Sequence, residues 1–242
     1  MISTISGFSA ISGQGILDNQ TIQNHVLGAY METADGRGYR YAKIGAVATL
    51  PGRVYQGPAL DATNQTPSGG LAVANAAIGA TEIVTTTTVT LAANLLAGGY
   101  LSVAVTPGLG YTYLIKSNTA AAAAVVTFVL EDPLVIALTS SSRVIVTKHH
   151  LDGIIIEPGT PTAKLAGVPN GIFSVGAFAW IQVRGACAVL FTGTGAAGKV
   201  VGSLTGGTSG SMAPAIAATN IGGEHMATGI TTEYSFVYLT IG

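Results

Sequence analysis

Charge is what this sequence has least of. Aspartate, glutamate, lysine and arginine make up 9% of its 242 residues, against roughly a quarter in an average globular domain. A protein that works alone in water keeps charged surface to stay soluble and to stop chance contacts from sticking. A subunit that buries much of its surface against neighbours does not need it. The formal net charge is −1, and apart from Arg37, Arg40 and Lys43 the basic residues are scattered singly. Phosphate backbones are held by clustered Lys and Arg, so no nucleic-acid partner is expected.

Cysteine is nearly absent too. Cys187 stands alone, which excludes an intramolecular disulfide, and the chain is long enough to bury an ordinary core without one. The residue itself reads as a small buried hydrophobe. Long apolar runs are missing, because Ala, Val, Ile and Leu are interspersed with Gly, Thr and Ser. None reaches the ~18 residues a spanning helix requires, and no membrane partner is expected. The opening, Met1-Ile2-Ser3-Thr4-Ile5-Ser6-Gly7-Phe8-Ser9-Ala10, lacks the basic start and apolar stretch of a secretory signal. Synthesis in the cytoplasm is the expectation.

What is present is strand and turn chemistry. Glycine or proline recurs roughly every ten residues between runs rich in Thr and Val. Residues 1–28 show no sustained periodicity and read as an extended N-terminal arm. Tyr39 to Ile44 alternates apolar and polar residues after Asp35-Gly36, a pair that favours a hairpin turn. Val47 to Leu50 and Arg53 to Tyr55 flank a second turn pair, Pro51-Gly52. Gln56 to Gly70, with Pro58, Asn64, Pro67 and Ser68, reads as a linker.

Ile83 to Thr90 is strongly β-branched, and χ1-stiff residues sit better on a pleated surface than in a helix. Further strands are expected at Tyr100 to Val105, Tyr111 to Ser117, Val125 to Leu130, Arg143 to Thr147 and Gly153 to Glu157. Others follow at Gly176 to Arg184, Ala186 to Thr192 and Thr232 to Ile241. Ala120 to Ala124 is too short for a stable helix and reads as a loop or single turn. Gly206 to Gly223 reads as an exposed loop.

Gly193-Thr194-Gly195-Ala196-Ala197-Gly198 spells a dinucleotide fingerprint after the apolar run Ala188 to Phe191. That motif needs a helix next and an acidic residue about 20 positions on. Lys199 to Gly207 instead reads as strand and turn, and Glu224 is the first acid beyond. With Gly198-Lys199 the stretch also approaches a phosphate loop, but Val200 stands where Mg²⁺ would need a Ser or Thr hydroxyl. A hairpin turn is the expectation.

His149, His150 and Asp152 could bind Zn²⁺ or shuttle protons. Adjacent strand residues point to opposite faces, so a solvated strand end is expected instead. His25 and His225 are distant in sequence. Glu131-Asp132 before Pro133 could serve acid-base work on sugars, yet Asp and Pro there read as turn chemistry. Trp180 is the sole tryptophan, thin material for a sugar-stacking cleft. Neither a Gly-x-Ser-x-Gly elbow nor a Cys-His set is present. No catalytic residue, metal site or cofactor is assigned, and an enzyme is not expected.

Several segments resemble capsid-associated or head-decoration proteins of tailed bacteriophages. They are Leu27-Gly28-Ala29 with Asp35 to Ala42, Gly98 to Leu101, Gly108 to Ser117, Leu130 to Leu134, Gly176 to Gly185 and Glu233 to Leu239. The resemblance implies a virion structural protein present in many copies, most naturally a capsid decoration or cement protein. Its implied partner is the major capsid protein, its station the capsid surface, and its own state a homo-oligomer, a trimer above other counts.

The fold expected is all-β, a β-sandwich or β-barrel-like body of short antiparallel strands with the N-terminal arm, and room for two β subdomains. The divisions are the arm at 1–28, a β-hairpin segment and linker at 29–70, a middle β subdomain at 71–150 and a C-terminal one at 151–242. Two other functions remain open. A receptor-binding fibre or spike would use the Gly, Ser and Thr loops to hold host glycans. A glycan hydrolase would use Glu131, Asp132 or Asp152.

Overall fold

The computed structural model describes residues 13–60, 70–88, 90–122, 124–203, 206–215 and 220–242. They form two compact units, and among them there is no helix. The fold is all-β. One unit comprises Met1–Ala59 and His150–Gly242, and the other is Leu60–His149, inserted between them in sequence.

The chain begins in the first unit with β1 (Asn19–Gln20), β2 (Tyr30–Glu32), β3 (Gly38–Ile44) and β4 (Tyr55–Gln56). The inserted unit holds β5 (Leu71–Val73), β6 (Glu82–Thr86), β7 (Thr90–Leu91), β8 (Tyr100–Val105), β9 (Thr112–Asn118), β10 (Ala121–Ala122), β11 (Val125–Leu130) and β12 (Arg143–Thr147). The chain then returns with β13 (Asp152–Ile156), β14 (Leu165–Gly167), β15 (Phe178–Leu190), β16 (Val200–Ser203), β17 (Ala213–Pro214), β18 (Asn220–His225) and β19 (Tyr234–Thr240).

The inserted unit is a closed barrel in the order β11-β6-β5-β12-β8-β9, with β7 and β10 paired beside it. Closure leaves no strand edge unpaired. Period-two alternation fills its interior. Ile83 and Thr85 of β6 are buried where Val84 is exposed, and Leu101, Val103, Ile115, Val126, Phe128 and Val144 meet them in one core. Asn118 ties down the turn at 92–96, accepting from the Leu96 amide and donating to the Ala92 carbonyl, each at 2.9 Å.

In the first unit the sheet runs β14-β4-β13-β3-β15-β19-β18-β16-β17, with β2 added on β3 and β1 on β15. The pairing of β13 with β3 is parallel. The long strand β15 is the spine, meeting β3 along Phe178 to Arg184 and β19 along Arg184 to Leu190. Val189, Phe191, Val237 and Leu239 pack in one core cluster, and Tyr39, Tyr41, Phe178 and Trp180 in another.

Several expectations change. Residues 29–59 join 150–242 in one unit, because β3 and β4 pair with strands about a hundred residues or more later. Residues 1–12 of the expected arm lie outside the described residues, but 13–28 lie on the first unit. Gln14 is buried, its side-chain amide donating to the Phe178 carbonyl at 2.9 Å and accepting from the Tyr41 hydroxyl at 3.1 Å. Asn19 and Gln20 pair with Ala179 and Phe178.

Pro51-Gly52 is a turn, and beside it the Leu50 amide donates to the Tyr55 hydroxyl at 3.0 Å. Ala121–Ala122 is a strand rather than a loop, since β7 supplies a partner. The two strands expected on either side of Gly185 are one, because Gly185, at φ +85°, stays paired in register with Leu239 and the bulge falls between Gln182 and Arg184 without breaking the ladder. Part of the expected loop from 206 to 223 is β17 and the start of β18. Of the expected linker, residues 61–69 lie outside the described residues.

Candidate assembly surface

The sequence motifs that suggested chemistry are dispersed. In the glycine cluster the Gly193 amide donates to Thr231 Oγ1 at 2.8 Å. Those of Gly195 and Gly198 donate to the Gly229 and His225 carbonyls at 3.1 and 2.7 Å. These donors are spent within the fold, where a phosphate cradle would aim them outward. Strand β16 follows instead of a helix.

His149 corrects an expectation. It is buried rather than solvated, and its ring lies over Tyr100 at 6.3 Å between centroids. Asp152 faces Lys43 at 3.8 Å. His25 packs on Tyr41 and Trp180, with centroids 5.0 and 5.1 Å away, so Trp180 is core and offers no sugar platform. Glu131 and Asp132 are exposed in the turn after β11. Among the described residues no group of three or more His, Cys, Asp and Glu is placed to hold a metal.

Cys187 and His225 are among the buried titratable groups of the first unit. Burial pushes the Cys187 thiol up to about 12, which removes the thiolate needed for nucleophilic work. His225 lies within the core with its ring stacked on Phe191, centroids 4.4 Å apart. Burial lowers its pKa, and the backbone of Ala196 acts the other way.

The surface that stands out is the outer face of β15, β19 and β18. Along β19, Val237 and Leu239 point into the core, while Tyr234, Phe236 and Tyr238 point out, 52, 57 and 41% exposed. Direct cross-strand partners share a face, so the register assembles the rest. Ala188 lies opposite Phe236 and Ala186 opposite Tyr238 on one flank. On the other flank Glu224 lies opposite Tyr238, and Val200 opposite Glu224. The Met226 amide donates to the Phe236 carbonyl at 2.9 Å, which places exposed Met226 beside that ring.

A solvated face carries polar residues, whereas this one is apolar apart from Glu224, between Tyr238 and Val200, and the pair Arg184 and Thr240 at one end. On the β15 flank it continues into a groove of about 620 Å³ lined by Leu17, Pro51, Ala186, Ala188, Tyr234 and Phe236.

Sequence reasoning placed a strand over Thr232 to Ile241 without its outer face. The available signal was that Tyr-Ser-Phe-Val-Tyr-Leu is apolar in both period-two registers apart from one serine, as in a strand covered on both sides.

Compared with known proteins, the chain matches no family model, no curated sequence and no solved structure.

Proposed function

We propose that this chain is a structural subunit of a bacteriophage particle, working as one copy among many, as a capsid decoration protein that binds the major capsid lattice. The observation that carries this reading is the apolar face of β15, β19 and β18 on a chain with 9% charged residues. Monomeric soluble proteins seldom leave a contiguous apolar patch of more than a few hundred Å² uncovered. Function then resides in contact area. Apolar surface and main-chain hydrogen bonds buried across subunit joints raise the free energy needed to separate them. Nothing in that work requires a cofactor or a reaction.

An antibody against the purified chain, applied to particles from a culture carrying its gene, tests the reading. Dense label over the shell is expected, with particles that lack the chain disrupting at lower temperature. Label confined to tail tips would favour receptor binding, and particles free of label would overturn the virion assignment.

A further inference from the structure

The apolar face has a shape and charge pattern that match its own copy. We propose that two copies of this chain pair face to face through β15, β19 and β18 about a two-fold axis running along β19. The proposal deepens the reading of the chain as a multi-copy subunit and rests on it. Large side chains, Tyr234, Phe236 and Tyr238, stand down the middle of the face. One flank is small, Ala186 and Ala188, and opens into the 620 Å³ groove. The other is bulky, with Val200, Glu224 and Met226.

A half-turn about β19 exchanges the flanks. It lays Met226 of each copy over Ala188 of the other, beside the groove, and sets the two Phe236 rings against each other. The charges agree. Glu224 is level with Ala186 across Tyr238, and Arg184 is the next outward residue of β15. The same rotation therefore lays each Glu224 over the other copy's Ala186, two residues along β15 from Arg184, twice per pair. A half-turn about an axis across the strands would oppose bulk with bulk and small with small, and would leave Arg184 with its own chain's Glu32 alone, 4.0 Å away.

An aromatic side chain can bury ~150–250 Å², and these three, about half exposed, supply roughly a third of the ~800 Å² per partner of a standard interface, to which Met226, Val200 and the groove walls add. Resemblance to decoration proteins implies a trimer, whereas this face fits pairs.

Sedimentation equilibrium of the full chain at micromolar concentration tests the pairing, with a dimer expected. Phe236→Lys, at an exposed position, should weaken association by about tenfold or more, the scale of one interface anchor, with an unchanged circular dichroism spectrum. Ala188→Trp, which fills the small flank, should do the same. Glu224→Arg should weaken the dimer by a few-fold and Glu224→Arg with Arg184→Glu should recover it, the double exchange restoring opposite charges.

Packed sheets lie about 10 Å apart, so Phe236→Cys should be joined to its copy by a short bis-maleimide, while the unaltered chain, with Cys187 buried, should not. A monomer, a trimer, or a dimer indifferent to Phe236→Lys and Ala188→Trp would each overturn the pairing. Particle labelling judges the virion reading separately, because a solution dimer absent from particles would sink that reading alone.

Discussion

His225 Nε2 lies 2.9 Å from Ser235 Oγ, both side chains buried between β18 and β19. The Ser235 hydroxyl donates onward to the Thr228 carbonyl at 3.2 Å, which leaves its oxygen to accept from the imidazole Nε2. Gly195 and Gly229 come so close to the ring that a Cβ at either would collide with it. The ring thus pins the loops at 193–198 and 226–232 to the sheet.

A pH dependence follows from that burial. The folded-state pKa of His225 is depressed by desolvation, so the unfolded chain takes up a proton at higher pH than the folded one. Stability is full above the unfolded value of about 6.5 and falls as pH drops through the folded value. Thermal melting at pH 7.5 and at pH 5 should show a larger loss for the natural chain than for His225→Gln. Equal losses in the two proteins would assign the acid sensitivity elsewhere.

The insertion of Leu60–His149 should be separable. The backbones of Gly57 and His150 touch, a Cβ on Gly57 standing 2.8 Å from the His150 carbonyl oxygen, so the two ends of the first unit's chain meet where the insertion leaves and returns. The barrel closes on its own strands and has its own core. Replacing 60–149 by a short Gly-Ser linker should leave a β-sheet protein that melts cooperatively, and 60–149 expressed alone should fold. Aggregation of both pieces would show that neither core is sufficient.

Local alternation made much of this fold legible and long-range pairing hid the rest. Tyr39 to Ile44 and Tyr100 to Val105 could be read because apolar residues recur with a period of two and turn residues bound them. The discontinuous first unit could not, since nothing near β3 announces β15 as its partner. Gly185 misled for a physical reason. A glycine between two apolar runs normally marks a turn, but here the Gln182 side-chain amide donates to the Arg184 and Ala186 carbonyls at 3.0 Å each. That holds the bulge within one strand.

The assembly face was half legible. Its aromatics were visible in the sequence, but their alignment with Ala186, Ala188 and Met226 depends on register.

Removing residues 1–28 should destabilise the first unit, because 13–28 are packed on it. Gln14 supplies partners to the Phe178 carbonyl and the Tyr41 hydroxyl. Ile16 and Leu27 pack against the cluster of Tyr39, Tyr41, Phe178 and Trp180, and His25 lies on two of its rings. Losing two buried hydrogen-bond partners costs about 1–3 kcal/mol each, and the uncovered apolar area adds to it. Urea unfolding should show a lower midpoint for the truncated chain, by several kcal/mol of stability. An unchanged midpoint would mean that the segment is laid on the unit without contributing to it.

Lys199→Ala should leave folding and assembly intact and remove no nucleotide affinity. In a phosphate loop the glycine amides point at the anion and the lysine neutralises it. Here the amides of Gly193, Gly195 and Gly198 are bonded to Thr231, Gly229 and His225, and the Lys199 amide turns back to the Ala196 carbonyl at 3.3 Å. Presenting them to a phosphate would break the bonds that close these loops over His225. The Lys199 side chain is exposed, and removing an exposed side chain away from such features changes stability by less than about 0.5 kcal/mol. Calorimetric titration of the natural chain with ATP, GTP and NAD should show no binding. Micromolar affinity for any of them that disappears in Lys199→Ala would establish a nucleotide site and displace the hairpin reading.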